Sequence, residues 1–166
     1  MNGLLIPTYD DMLAAHDRIR PHVRVTPVRT SDYLNDLAGC QLFFKCENFQ
    51  EPGAFKVRGA ANAVFGLTEA QAAKGVATHS SGNHASCLSN AAMLRGIPCN
   101  VVMPRTAPQA KKDTVRRYGG VITECEPSTT SREATFAQVQ AATGGDFVHP
   151  YNDPRVIAGQ GTCSRE

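Results

Sequence analysis

The chain has 166 residues, of which 42% are hydrophobic and 19% are charged, and its formal net charge is +2. This composition predicts a soluble globular protein and argues against a disordered chain or a nucleic-acid partner. No stretch approaches the roughly 20 apolar residues that would span a bilayer. Six cysteines without a C-x-x-C pair, and no signal-peptide pattern after Met1, predict a reduced, cytoplasmic protein without a membrane partner.

The first 68 residues predict short and irregular elements. A capping box starts at Thr8, and Pro21 ends the helix that follows it. Pro27 permits at most an edge strand or a connector around itself. The predicted elements are a helix, an extended connector, a strand and an alanine-rich helix, at 8–20, 23–28, 41–47 and 55–65.

From about residue 69, strands and helices alternate regularly and are separated by short loops. Strands are predicted at 75–79, 99–103, 121–125 and 146–149. Helices are predicted at 83–95, 108–118 and 131–142, the last of them capped by Ser131. The basic side chains of the second helix, among them Lys111 and Lys112, are predicted to form a solvated face. Repeated strand–helix units predict a parallel sheet with helices on its faces, and hence an α/β fold.

The segment Ser80-Ser81-Gly82-Asn83-His84 lies where the first regular strand ends and the next helix begins. In open parallel sheets, ligands bind at the carboxyl ends of the strands. Two hydroxyls, a flexible glycine and the free N–H groups of a helix N-terminus suit a carboxylate or a phosphate. An ordinary helix cap explains the same residue types if this loop is considered alone.

Lys56 lies between Phe55 and Val57, shortly after a turn at Gly53. Apolar surroundings would favour the neutral amine, which can attack an aldehyde and form a Schiff base. For this segment considered alone, a surface lysine in the first turn of a helix is the better explanation.

Taken together, the two segments are more specific. Residues 53–60 and 78–85 resemble the paired signature of the fold type II pyridoxal-phosphate enzymes. Residues 125–133 resemble serine racemases, and residues 149–162 resemble the racemase and threonine dehydratase branch. The resemblance implies a tryptophan synthase beta-like fold, with a complete small parallel-sheet domain and part of a large domain.

The same resemblance implies a role for each matching residue. Pyridoxal 5'-phosphate would be held through a Schiff base to Lys56, with Phe55 beside its ring and Asn83 bonded to its ring hydroxyl. Lys56 and Ser81 would be the catalytic acid–base pair, on opposite faces of the cofactor. The implied substrate-binding residues are Ser80, Ser81, Gly82, Asn83, His84 and Arg132. No metal ligand is predicted.

The implied reaction is racemisation or β-elimination of serine or threonine, the latter releasing water and then ammonia. Both outcomes need the same carbanion at the α-carbon, so these motifs do not separate them, nor serine from threonine.

The sequence departs from the family in two respects. Ala54 stands where the family usually has serine. The family's glycine-rich phosphate loop and its divalent-metal ligands have no counterpart here, because relatives continue well beyond this sequence. We therefore expect residues 1–68 to begin a large domain, 69–150 to form the small domain, and 151–166 to return to the large domain. A homo-oligomer is expected, and the alternative is a non-catalytic, truncated half-chain that associates with a full-length relative.

Overall fold

The computed structural model describes residues 6–166, and the first part of the chain consists of short elements. Helices α1, α2 and α3 span Tyr9–Ile19, Asp32–Ala38 and Lys56–Phe65. Strands β1 and β2 are Val28–Arg29 and Phe44–Lys45, which pair antiparallel. A 3-10 helix, Glu47–Phe49, follows β2.

The strand predicted over 41–47 is thus reduced to Phe44–Lys45. Its partner strand follows Pro27, which has no N–H group with which to extend the ladder. Pro27 accepts one last hydrogen bond, from the N–H of Cys46 at 3.0 Å, and the chain then turns into the 3-10 helix.

The remaining chain alternates strands with helices, as the sequence predicts. Helices α4 to α8 span Glu69–Ala72, Asn83–Arg95, Gln109–Arg117, Thr129–Thr143 and Pro154–Gly161. Strands β3 to β6 span Val76–His79, Cys99–Pro104, Val121–Cys125 and Asp146–Phe147. A second 3-10 helix, Thr162–Arg165, follows α8.

These four strands form one parallel sheet in the order β5-β4-β3-β6. Val76 of β3 lies opposite Cys99 of β4 and Asp146 of β6, so β3 is an interior strand. The predicted α/β fold with a parallel sheet is confirmed. Because β3 and β6 are neighbours, the segments that follow them emerge side by side at the same edge of the sheet.

The cap predicted for α7 is wrong. The helix begins at Thr129, and Ser128 is its N-cap, with its hydroxyl accepting the N–H of Ser131 at 3.1 Å. Ser131 lies inside the first turn instead, where its own hydroxyl accepts the N–H of Glu126 at 3.1 Å. Both serines occur at suitable spacing, and only the extended backbone of Ser128 leaves it free to cap.

The predicted solvated face of α6 is also partly wrong, because Lys112 is buried. Its Nζ donates to Glu124 Oε1 at 2.6 Å and to the carbonyl of Arg105 at 2.8 Å. A buried lysine with both a carboxylate and a carbonyl partner connects the helix to β5 rather than to water.

Helix α8 was not predicted from the sequence, and it packs directly on α3. A Cβ atom on Gly59 would lie 2.7 Å from the carbonyl oxygen of Val156, and one on Gly159 would lie 2.6 Å from that of Arg58. Two glycines thus allow the helix backbones to touch. The contact brings the loop before α8 within reach of the first residue of α3.

Several apolar side chains before α3 remain exposed. The most exposed are Ile6, Val25, Tyr33 and Leu37. Among the helices within residues 6–166, none has the length and apolar character needed to cross a membrane.

A buried ion cluster joins α3 to both 3-10 helices. Arg58 is fully buried, and its guanidinium donates to Glu47 at 2.7 Å and to Glu166 at 2.9 Å. Lys45 adds a second cation, 2.6 Å from Glu166. Burial alone would raise the pKa of Glu47 and Glu166, but the hydrogen bonds from Arg58 hold both below their ordinary value.

We expect Arg58→Ala to lower the free energy of unfolding by about 3–5 kcal/mol, because it leaves two largely buried carboxylates without their main cation. Urea unfolding of the intact protein measures the loss. Arg117→Ala, at an exposed arginine, is the control and is expected to change stability by less than about 0.5 kcal/mol. Equal effects of the two substitutions would show that the cluster does not stabilise the fold.

Candidate active site

Lys56 is the first residue of α3, and its amine faces the loop that follows β6. Lys56 is half-buried, and its Nζ donates to the carbonyl oxygen of Pro150 at 2.8 Å. The amine also lies 5.3 Å from the centre of the Phe55 ring. The lysine is therefore held by protein groups and does not extend freely into solvent.

The loop after β3 ends in an uncapped helix. The N–H of Ser80 donates to the carbonyl oxygen of Val102 at 3.1 Å, which fixes the loop to β4 of the sheet. The Ser80 hydroxyl accepts the N–H of Gly82 at 3.3 Å. Gly82 is the N-cap of α5, and no side chain of residues 6–166 caps this helix. A Cβ atom on Gly82 would meet nothing within 4 Å. The first N–H groups of α5 therefore have no side-chain acceptor among the described residues and remain available to an anion.

Asn83 is exposed and is oriented by Lys111 of α6. Its Oδ1 accepts a hydrogen bond from Lys111 Nζ at 2.7 Å. The bond leaves the amide NH2 group of Asn83 available as a donor toward a ligand. The helical pattern of α6 predicts a solvated Lys111 and does not indicate this contact, because no local pattern specifies which residue a basic side chain will reach.

The imidazole of His84 points into the protein. His84 is buried, its Nε2 lies 3.1 Å from the carbonyl oxygen of Val148, and its Nδ1 has no partner within residues 6–166. Burial above all, and to a lesser degree the positive charge of Lys56, lowers the pKa of His84 to about 4, against the opposing bond to Val148. Val148 lies two residues before Pro150, whose carbonyl accepts from Lys56, so the lysine and the start of α5 contact the same segment after β6.

A cavity of about 250 Å3 opens on the other side of the loop, between the ends of the strands and α7. Ser80, Ser81, Cys125 and Arg132 are among its lining residues. The Nε of Arg132 is buried and has no hydrogen-bond partner within the described chain. Ser81 is exposed and lines the cavity, whereas Lys56 does not.

The predicted site residues thus fall into two groups that meet at the loop. Lys56 and Phe55 lie on the α3 side, Arg132 lies on the α7 side, and the segment 80–84 lies between them. The carbonyl of Pro150 and the side chain of Lys111 are additional contacts that the sequence did not indicate, since both depend on packing between distant segments. Within residues 6–166, no group of three or more histidine, cysteine or acidic side chains is placed to hold a metal ion.

This donor set fits a phosphorylated aldehyde cofactor. Lys56 supplies an amine that is already placed in a partly apolar site, and Asn83 retains free amide donors beside it. The uncapped start of α5 and the unpartnered Nε of Arg132 add donors for anionic groups. Lysine, amide and helix N-terminus are the groups expected around pyridoxal phosphate and an amino-acid carboxylate.

Comparison with known proteins identifies the family of the chain. Residues 19–166 match the family described as pyridoxal-phosphate dependent enzyme. The chain is 87% identical over 163 residues to the beta-hydroxyaspartate dehydratase of Paracoccus denitrificans (strain Pd 1222), covering 98% of this chain and 52% of that protein. It is 55% identical over 152 residues to the serine racemase of Arabidopsis thaliana, covering 92% and 46%. The structure of maize serine racemase superposes with a TM-score of 0.94 at 48% identity, covering 96% of this chain and 48% of that one.

The chain therefore belongs to the pyridoxal-phosphate dependent enzymes of fold type II. Within that class it falls in the branch of the serine racemases and threonine dehydratases, which confirms the resemblance found in the sequence. The chain spans about half the length of the curated relatives it matches, corresponding to their N-terminal half.

His84 gives the site a measurable pH dependence. Its pKa is lowered from 6.5 to about 4 in the folded protein, so the unfolded chain binds the proton more readily. The free energy of unfolding should therefore fall as the pH falls from 6.5 toward 4, by an amount on the order of 3 kcal/mol. Urea unfolding of the intact protein at several pH values measures the slope.

His84→Gln, which can still donate to Val148 but does not titrate, is the comparison variant. We expect it to show a shallower loss of stability over the same pH range. If the two proteins lose stability in parallel, His84 is not the group responsible.

Proposed function

We propose that the intact protein uses pyridoxal phosphate to remove water from a β-hydroxy amino acid, with Lys56 as the cofactor-binding residue. The observation that carries the proposal is that a held lysine amine and the helix N-terminus of α5, which has no side-chain cap among the described residues, contact the same segment after β6. When bound, pyridoxal phosphate supplies an electron sink that stabilises negative charge at the amino-acid α-carbon. Racemisation needs the same negative charge at the α-carbon, so we expect it to accompany the loss of water.

The residues of this chain would divide the remaining work. Lys56 binds the cofactor aldehyde and afterwards moves the proton at the α-carbon. The N–H groups at the start of α5 bind the α-carboxylate, since the helix dipole favours an anion there. Asn83, fixed by Lys111, orients the cofactor through its amide. Because its imidazole is buried, His84 would contribute its backbone N–H rather than its ring.

Ser81 is proposed as the second acid–base group. It is exposed on the loop between Lys56 and the cavity, so its hydroxyl can approach an amino acid from a direction that the lysine does not occupy. A proton returned by Ser81 gives racemisation, and loss of the β-hydroxyl before that return gives dehydration.

For the substrate, we propose a β-hydroxy amino acid with a second carboxylate, such as 3-hydroxyaspartate, ahead of serine or threonine. Arg132 lines the cavity beside Ser81, and its guanidinium suits a second carboxylate, which serine and threonine do not carry. The high identity to a beta-hydroxyaspartate dehydratase supports the same choice.

We also propose that residues 69–150, which contain the parallel sheet, form a separate small domain.

The cofactor role of Lys56 is tested by Lys56→Ala. We expect the intact variant to lose the visible absorbance of lysine-bound cofactor entirely, and borohydride to attach cofactor to no peptide containing position 56. The hydrogen bond to Pro150 contributes only about 1 kcal/mol to stability, so the variant should fold. Lys74→Ala, at an exposed lysine, should keep the absorbance. A band that persists in Lys56→Ala would disprove the role.

The substrate preference is tested by Arg132→Gln. Loss of a charged hydrogen bond costs about 1.5–3 kcal/mol, so kcat/KM for 3-hydroxyaspartate should fall about ten- to hundredfold more than kcat/KM for serine. Arg117→Gln, at an exposed arginine of α6, should change neither value. If Arg132→Gln lowers both substrates equally, Arg132 binds the group they share and the proposed preference is wrong.

A further inference from the structure

The turn between β6 and α8 is closed by a histidine side chain. Nδ1 of His149 accepts the backbone N–H of Asn152 at 2.9 Å and lies 3.3 Å from the N–H of Tyr151. An imidazole nitrogen that accepts hydrogen bonds carries no proton, so the ring must be neutral with its hydrogen on Nε2.

The same turn holds the acceptor of the lysine. Pro150 lies inside it, and its carbonyl oxygen is the atom that Lys56 Nζ contacts at 2.8 Å. The direction of that carbonyl is set by the backbone of the turn, which the two bonds to His149 fix. His149 therefore acts on Lys56 through the backbone, although the two side chains are not bonded to each other.

The far end of the turn is fixed by ion pairs. Asp153 caps α8 by accepting the N–H of Arg155 at 2.9 Å, and its carboxylate also pairs with the Arg155 guanidinium at 2.7 Å. Arg155 in turn reaches Asp146 of β6 at 2.7 Å. Arginine stays charged at every relevant pH, so His149 is the part of this turn that changes protonation near neutrality.

We propose that His149 is a positioning residue for Lys56: its neutral ring holds the turn 149–152, which holds the Pro150 carbonyl against the lysine amine, and protonation at Nδ1 releases it. A protonated Nδ1 would be a donor facing the N–H of Asn152, so the closing bonds could not form. The inference rests on the proposed function only for the role of Lys56 as the cofactor lysine.

The surroundings of the ring favour its neutral form. His149 packs among aromatic rings, with centroids 5.6 Å from His79, 5.5 Å from Phe147 and 4.5 Å from Tyr151. The titratable or charged groups near the ring or its turn are Lys56, His79, His84, Arg132, Tyr151 and Asp153. Burial first, and then the charges of His79 and Arg132 against that of Asp153, lower the pKa of His149 from 6.5. The turn is therefore closed at neutral pH and opens on the acid side.

Two substitutions at His149 separate its role as a hydrogen-bond acceptor from its ability to take up a proton. In His149→Asn, the side-chain oxygen can take the place of Nδ1 and accept from Asn152, but it does not titrate. In His149→Gln, the longer side chain places its amide near the position of Nε2 and leaves the N–H of Asn152 without an acceptor.

The experiment uses the intact protein and two readouts between about pH 5 and 8. One is the rate at which added pyridoxal phosphate and cyanoborohydride label Lys56, read by peptide mapping. The other is hydrogen-exchange protection of the Asn152 amide, measured without cofactor. In the unsubstituted protein, we expect labelling and protection to fall together as the pH drops. In His149→Asn, the protection of the Asn152 amide should stay constant as the pH drops. Labelling of Lys56 should then fall only as far as protonation of the lysine amine itself slows the reaction. His149→Gln should lower both about tenfold at every pH.

Unchanged protection of Asn152 in His149→Gln would overturn the inference, because the ring would then not close the turn. Reduced protection with unchanged labelling would overturn it too, since the turn would not position the lysine. If Lys56 is not labelled even in the unsubstituted protein while other lysines are, the proposed function fails, and the link to cofactor binding fails with it.

Discussion

The contact between the amine of Lys56 and the carbonyl of Pro150 is the constraint on which the candidate site depends. It joins the start of α3 to the loop after the last strand, and it exists because α8 lies directly against α3. The glycines Gly59 and Gly159 make that packing possible, since a side chain at either would collide with the facing backbone. Without this packing, the lysine would have no fixed position relative to the sheet.

The site gathers positive charge and hydrogen-bond donors around one loop. The uncapped start of α5, the amine of Lys56 and the guanidinium of Arg132 all lie near the segment 80–84. Within residues 6–166, the start of α5 has no side-chain cap and the Nε of Arg132 has no partner, and donors are rarely left so unless a ligand satisfies them. Each donor comes from a different helix, so a ligand that binds all of them must bridge α3, α5 and α7, and its binding should stiffen their arrangement.

Two neighbouring histidines of this region are kept neutral by different means. His84 is buried against Val148, whereas His149 accepts backbone hydrogen bonds and packs edge-to-face with aromatic rings. Neutral imidazoles add no charge that would oppose the lysine. They also make this part of the protein sensitive to acid, because the unfolded chain binds their protons more readily than the folded one.

The sequence by itself determined the alternation of strands and helices from residue 69, the parallel sheet, the family, and the lysine and serine-rich segments of the candidate site. These depend on local periodicity and on short motifs, which are written in adjacent residues. Only the tertiary structure decided that Lys112 is buried, that Lys111 orients Asn83, that a buried nitrogen of Arg132 has no partner among residues 6–166, and that a turn closed by His149 meets Lys56. Such contacts join residues far apart in the chain, and no local pattern specifies which distant group a long side chain or a backbone carbonyl will meet.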